Sequence, residues 1–292
     1  MSADTAAQPN AAQIEFWNGP VGRSWVNLQE TWDIVLAPVL DAAIARADPR
    51  PGERVIDIGC GCGASTIALA RRVAPDGKAL GVDISQPMLA RAAERRPPDL
   101  PIELVLADAT TQAFARGAFD LLFSRFGVMF FADPVRAFAN LRSALKPGGR
   151  LAFACFRSPR ENPFMMMPLE AAYQHVPPLP KLGPEDPSPF AFASEERVRR
   201  ILGEAGFDAI GLEPCDLALD LAAGGGLDAA VAATMEIGAT NRAIAGQPPE
   251  IRTAVAASIR RALGPHARGS SVPLASAIWV VTAANSAGQS PP

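Results

Sequence analysis

Between Arg54 and Phe156 short apolar runs alternate with helical stretches, and that alternation leaves few folds open. RVIDIG (54–59), ALGVDI (79–84), IELVLAD (102–108), FDLLFSRF (119–126) and RLAFACF (150–156) read as strands. ASTIALARRVA (64–74), SQPMLARAAERR (85–96) and PVRAFANLRSALK (134–146) read as helices, the last closed by Pro147-Gly148-Gly149. Strands that are apolar along their whole length must be buried on both faces. A mainly parallel sheet with helices on either side meets that requirement. Right-handed crossovers then wind it into an open, doubly wound α/β sheet.

The flanks have a different texture. Residues 1–10 and 286–292 are small, polar and Pro-bearing, and are expected to be disordered tails. Residues 11–48 form an expected N-terminal helical lid, which Gly19-Pro20 divides into two helices. The remaining 49–285 is expected to be one domain carrying two cap insertions, 158–193 and 225–272. The first is rich in Pro and Met, with three consecutive Met at 165–167, and a connection of that length usually serves a site. Ser194 is placed to N-cap the helix of SEERVRRILGEAGF. AIGLEPCDLALDL (209–221) and ASAIWVVTAAN (275–285) complete a set of seven strands.

Composition removes several classes of function. With 292 residues and 49% hydrophobic content the chain can bury a large core. A formal charge of −3 argues against a nucleic-acid binder. No window reaches the ~18 uninterrupted apolar residues of a membrane span. MSADTAAQPN lacks the basic-then-apolar order of a secretory signal, and four Cys make no disulfide scaffold. A cytoplasmic monomer or homodimer acting on a small molecule, with no nucleic-acid or membrane partner, is expected.

The chemistry is carried by Asp57-Ile58-Gly59-Cys60-Gly61-Cys62-Gly63, at the exit of the first strand. Glycines there let the backbone turn tightly and let a ligand lie against main-chain atoms, beside the free N–H groups of the next helix. Gly59, Gly61 and Ala64 also satisfy the dinucleotide pattern, so the loop alone is ambiguous. Asp83 ends the second strand twenty residues after Gly63, where a carboxylate accepts ribose hydroxyls, and Asp108 ends the third. A nucleoside has a use for this last acid, which can accept from an adenine amino group. A dinucleotide has no particular use for it.

With these residues in place, the chain resembles the class I S-adenosylmethionine-dependent methyltransferases, closely over 54–156 and by element order over 194–285. D-I-G-C-G-C-G matches that family's acid-x-G-x-G-x-G loop, G-V-D-I-S its ribose-binding strand end and A-D-A-T its adenine-side acid. F-D-L-L-F-S-R-F is similar to its fourth strand and L-K-P-G-G-R-L-A-F to its turn into the fifth. The span F-S-R-F-G-V-M-F-F-A-D-P resembles the bacterial small-molecule branch, near the ubiquinone and menaquinone biosynthesis C-methyltransferases.

The resemblance implies a Rossmann-like sheet, mostly parallel with its last strand antiparallel, and S-adenosyl-L-methionine as cofactor. By it, Asp57 orients the methionine ammonium through water, and Gly59, Cys60, Gly61 and Gly63 admit the methionine chain and ribose. Asp83 holds the ribose hydroxyls, Ile84 and Met88 flank the adenine, and Asp108 with Ala109 reads its edge. Ser124, Arg125 and Phe126 stand where the methyl is transferred, and Trp17 and Trp25 close the site. His175 and Tyr173 are the candidate catalytic residues; a loop histidine without chemical duty is the competing reading. Cys60 and Cys62 have no complementary His/Cys set downstream, so no metal is expected. An NAD(P)-dependent oxidoreductase and a non-catalytic nucleoside-binding relative are the alternative functions.

Overall fold

The computed structural model of the protein describes residues 10–183 and 185–286. The expected tails lie outside these residues except for Asn10 and Ser286. Helices α1 (Ala11–Asn18), α2 (Pro20–Asn27), α3 (Gln29–Val35) and α4 (Ala37–Ala47) form the N-terminal segment. The two expected helices are thus four. Pro20 and Pro38 sit in the first turns of α2 and α4, where a missing N–H is harmless but a continuing helix is blocked. The remaining break, at Leu28, has no such residue, and across it Trp25 meets Trp32 at 5.4 Å between ring centroids.

The alternating region forms β1 (Arg54–Ile58), α5 (Ala64–Val73), β2 (Lys78–Asp83), α6 (Gln86–Arg95), β3 (Ile102–Leu106) and β4 (Phe119–Arg125). It continues through α7 (Pro134–Ala144) into β5 (Leu145–Phe156), then α8 (Pro163–Ala172), α9 (Glu195–Glu204) and β6 (Asp208–Asp220). Helices α10 (Gly226–Glu236), α11 (Gly238–Ala243) and α12 (Pro249–Leu263) precede β7 (Pro273–Ala284). The seven strands lie in the order β3-β2-β1-β4-β5-β7-β6. The last strand in sequence, β7, enters antiparallel between β5 and β6, as expected. One boundary differs from the sequence reading. β5 starts at Leu145, which pairs with Phe119 before a register shift, so the Pro-Gly-Gly segment belongs to the strand.

Packing follows the periodicity. Asp133 caps α7 by accepting from the Arg136 N–H at 3.0 Å, and the helix buries Ala137, Phe138, Leu141 and Ala144 along one stripe. Phe138 is fully buried, with Phe153 at 5.7 Å and Phe192 at 6.2 Å between centroids. Ser194 caps α9 as expected, accepting from the Arg197 N–H at 3.3 Å. The first insertion is fastened to the sheet by one buried side chain. The Asn162 amide donates to the Ala277 carbonyl at 3.0 Å, and its oxygen accepts from the Ala277 N–H at 2.9 Å.

The order β3-β2-β1-β4-β5 reverses direction between β1 and β4, and a crevice opens there beyond the carboxyl ends of the strands. Helices α1–α3 and the two insertions contribute residues to the crevice, while α4 packs against the sheet and buries Val39, Ala43 and Ile44 in the core. The aromatic cluster under α7 is expected to set much of the domain's stability. Phe138→Ala should lower the unfolding free energy by about 3–5 kcal/mol, measured by urea denaturation. A loss below about 1 kcal/mol would show that the site collapses around the gap.

Candidate active site

The exits of β1 and β4 cross with glycine against glycine. A Cβ on Gly59 would stand 2.6 Å from the Gly127 Cα, and one on Gly127 would stand 2.6 Å from the Ile58 carbonyl. Gly59 also has φ +68°, a conformation that side chains rarely adopt. Ser124 secures the crossing from below, donating to the Ile58 carbonyl at 2.7 Å and accepting from the Gly127 N–H at 3.2 Å. The loop after Gly59 is then pinned to the tip of β2. One Asp83 oxygen accepts from the Gly61 N–H at 2.7 Å and the other from the Ser85 N–H at 2.8 Å.

These contacts frame a cavity of about 530 Å³, lined by Gly59, Cys60, Gly61, Asp83, Ile84, Met88, Asp108, Ala109, Arg125 and Phe126. Trp17 and Trp25 close it from the N-terminal helices, and Phe156, Phe164, Met165, Thr240 and Arg242 line its far side. The volume suits a small ligand. Four buried polar atoms on lining residues have no protein partner: Gln13 Oε1, Trp32 Nε1, Asp108 Oδ2 and Arg125 Nη1. Buried polar atoms left unpaired are rare, and among the described residues four of them belong to side chains of this one cavity wall. Asp108 shows the pattern most clearly. Its Oδ1 accepts from the Asn10 amide at 2.7 Å and from the Thr110 N–H at 2.8 Å, which leaves Oδ2 for an incoming donor such as an adenine amino group.

Several expected site residues stand elsewhere. Asp57 does not line the cavity. It lies wholly buried beneath the loop, where Oδ2 accepts from Ser65 Oγ at 2.7 Å and Thr66 Oγ1 at 2.6 Å, holding the first turn of α5. Gly63 packs α5 against α6, since its Cβ would meet that of Ala92 at 3.0 Å, and Ser124 serves the loop crossing. His175 and Tyr173 are outside the lining. His175 is exposed and hydrogen-bonds Ser258 at 2.7 Å, while the Tyr173 hydroxyl accepts from the Leu179 N–H at 3.3 Å. Tyr173 is half-buried behind the lining, near Arg242.

Other residues at the site were not anticipated. Asn10, assigned from sequence to a tail, is buried, and besides Asp108 it accepts from the Ala132 N–H at 2.8 Å. Gln13, Trp32, Asp33 and Arg242 also line the cavity. Asn10 stands just before α1, the one sequence signal that could have placed it in ordered structure, but its partners lie about a hundred residues away.

Comparison with known proteins agrees with this geometry. A family model described as "Methyltransferase domain" matches residues 56–153. Demethylmenaquinone methyltransferase of Corynebacterium kroppenstedtii is 30% identical over 57% of this chain and 72% of its own length. Aklanonic acid methyltransferase DauC of a Streptomyces species is 35% identical over 56% of this chain and 70% of its own length. Across other curated relatives the matched share of their own length runs from 23% to 78%. Phosphoethanolamine N-methyltransferase 2 of Haemonchus contortus, solved with S-adenosyl-L-methionine, has the same fold. Its TM-score is 0.56 at 17% identity, over 98% of this chain and 61% of that one.

The buried acids are electrostatically distinct from surface ones. Burial pushes Asp57 up to about 6, against the hydrogen bonds of Thr66 and Ser65. Burial also raises Asp83, opposed by the N–H groups of Ser85 and Gly61. Desolvation lifts Cys60 well above the thiol range and Cys62 to about 12, so neither is a thiolate nucleophile. For Asp57 the consequence is a pH dependence of stability. From about pH 4 to 6 the folded chain keeps a proton that the unfolded chain has released, so this residue's contribution to stability falls as pH rises through that window. Relative to Asp57→Asn, the wild type should lose about 2 kcal/mol between pH 4 and 7 in urea unfolding, and parallel profiles would refute the shift.

Proposed function

The chain belongs to the class I S-adenosylmethionine-dependent methyltransferases, and we propose that it methylates a small, largely apolar metabolite in the crevice between β1 and β4. The observation that carries this reading is the convergence of unpaired polar atoms on one cavity, with Asp83 and Asp108 on its wall. Both Asp83 oxygens keep lone pairs beyond their backbone partners, enough to accept two ribose hydroxyls. Asp108 would accept from the adenine amino group, and Met88 and Ile84 would flank the ring. Gly59 and Gly61 admit the rest of the cofactor close to the main chain. When bound, the cofactor supplies an activated methyl on a sulfonium for in-line displacement.

The chain's own part is positioning and exclusion of water. Arg125 and Phe126 stand at the end of β4, facing the acceptor side. Among the described residues lining the cavity there is no His, Tyr, Lys or Glu. A small-molecule acceptor also agrees with the names of the demethylmenaquinone and aklanonic acid methyltransferases. We assign residues 11–48 and the insertions 158–193 and 225–272 the role of lids over the acceptor. Four free cysteines fit a reducing, cytoplasmic compartment, and no helix among the described residues is long and apolar enough to cross a membrane. The oxidoreductase and non-catalytic alternatives are not favoured.

Equilibrium titration tests the reading. S-adenosylhomocysteine should bind the wild type and NADH should not; the reverse preference would overturn it. Asp83→Ala should weaken S-adenosylhomocysteine by roughly 10–100-fold, the range for lost hydrogen bonds to a charged group. Unchanged affinity in a folded variant would remove Asp83 from the site.

A further inference from the structure

Much of the rest of the cavity wall is apolar, with Thr240, Arg125 and Arg242 among its polar residues. Phe126 and Phe156 stack there with ring centroids 4.0 Å apart and planes 10° from parallel. Phe126 has φ +65°, a conformation costly for an aromatic residue, which holds its ring against Phe156 at the cavity wall. Phe164, Met165 and Pro168 extend the apolar wall. Arg242, on α11, enters this arm from the cap.

The carboxylates around the cavity are already committed, whereas two guanidinium groups on its wall, Arg125 and Arg242, have no ion-pair partner among the described residues. Asp33 pairs with Arg95 and accepts from the Gln29 amide at 2.6 Å. Asp83 is held by two backbone N–H groups, and Asp108 by Asn10 and Thr110. Arg125 lies in the field of Asp33 and Asp57. The Arg242 guanidinium has no carboxylate and no hydrogen-bond acceptor among the described residues. Its neighbours are the Tyr173 phenol and the ring of Phe16, whose centroid lies 6.0 Å from the guanidinium carbon. Arg242 is exposed at the mouth of the cavity, and a guanidinium there without a carboxylate partner can take an oxyanion in its two-pronged fork.

We infer that Arg242 is the specificity-determining residue for an acceptor that is an aromatic organic acid, its acid group held by Arg242 and its ring against the stacked Phe126 and Phe156. The inference rests on the methyltransferase reading and names the substrate class for the same cavity. Arg242 is a binding residue and takes no part in the transfer itself.

Two dyes that share a phenylaminonaphthalene body test it. 8-Anilinonaphthalene-1-sulfonate carries an oxyanion, and N-phenyl-1-naphthylamine does not. Both are titrated by fluorescence into the wild type, Arg242→Ala and Arg242→Lys in the presence of S-adenosylhomocysteine. Arg242→Ala should weaken the sulfonate dye by about tenfold or more, the effect of losing a charge-assisted contact, and leave the neutral dye unchanged. Arg242→Lys should recover part of the loss, because it restores the charge without the fork. An unaltered affinity for the sulfonate dye, or an equal loss for both dyes, overturns the inference. So does a fall in S-adenosylhomocysteine affinity in Arg242→Ala, which would assign the arginine to the cofactor. Failure of the wild type to bind S-adenosylhomocysteine would count against the methyltransferase reading instead, and the dye comparison would still report on Arg242.

Discussion

The site depends on the contact of two glycines, Gly59 and Gly127, where the exits of β1 and β4 pass each other. A side chain on either would stand within 2.6 Å of the opposite backbone, so the strand tips could not approach as they do. That approach places the Gly61 N–H against Asp83 and so fixes the floor of the cavity. It also turns Phe126 into its left-handed conformation, with its ring toward Phe156. Cofactor floor and acceptor wall are thus two consequences of one steric constraint.

The roof is held by different physics. Helices α1 and α2 contribute side-chain hydrogen bonds reaching distant segments. The Asn18 amide donates to the Ile84 carbonyl at 2.9 Å, and Ser85 Oγ donates to the Trp17 carbonyl at 2.7 Å. Asn10 joins Asp108, Thr110 and Ala132 in the same way. Each of these bonds nets only about 1 kcal/mol, far less than the core beneath it. A segment held by such bonds can open locally at a cost well below global unfolding, which suits a lid that must admit a cofactor.

What was legible in the sequence follows from the range of the interactions. Strands β1 to β5, their helices and the cap Ser194 depend on local pattern and were read from it, whereas the cap Asp133 was not anticipated. The wall residues Asp83, Asp108, Ile84 and Met88 were readable because parallel strands deliver their carboxyl ends to one edge. Asp57 was misplaced for a related reason. Side chains alternate along a strand, and the motif does not tell whether the first acid faces the ligand or the helix behind the loop. Asn10 and Arg242 were invisible, since their importance comes from what lies opposite them in space. His175 and Tyr173 were chosen for chemistry alone, and the turn after α8 leaves both outside the cavity lining.

The central claim is that this one crevice completes its hydrogen bonding with an adenosine-bearing cofactor. A crystal structure with S-adenosylhomocysteine tests it most directly. The account expects the adenine amino group within hydrogen-bonding distance of Asp108 Oδ2 and the ribose hydroxyls on Asp83. A nucleoside seated elsewhere, with Asp108 Oδ2 still unpaired, would contradict it.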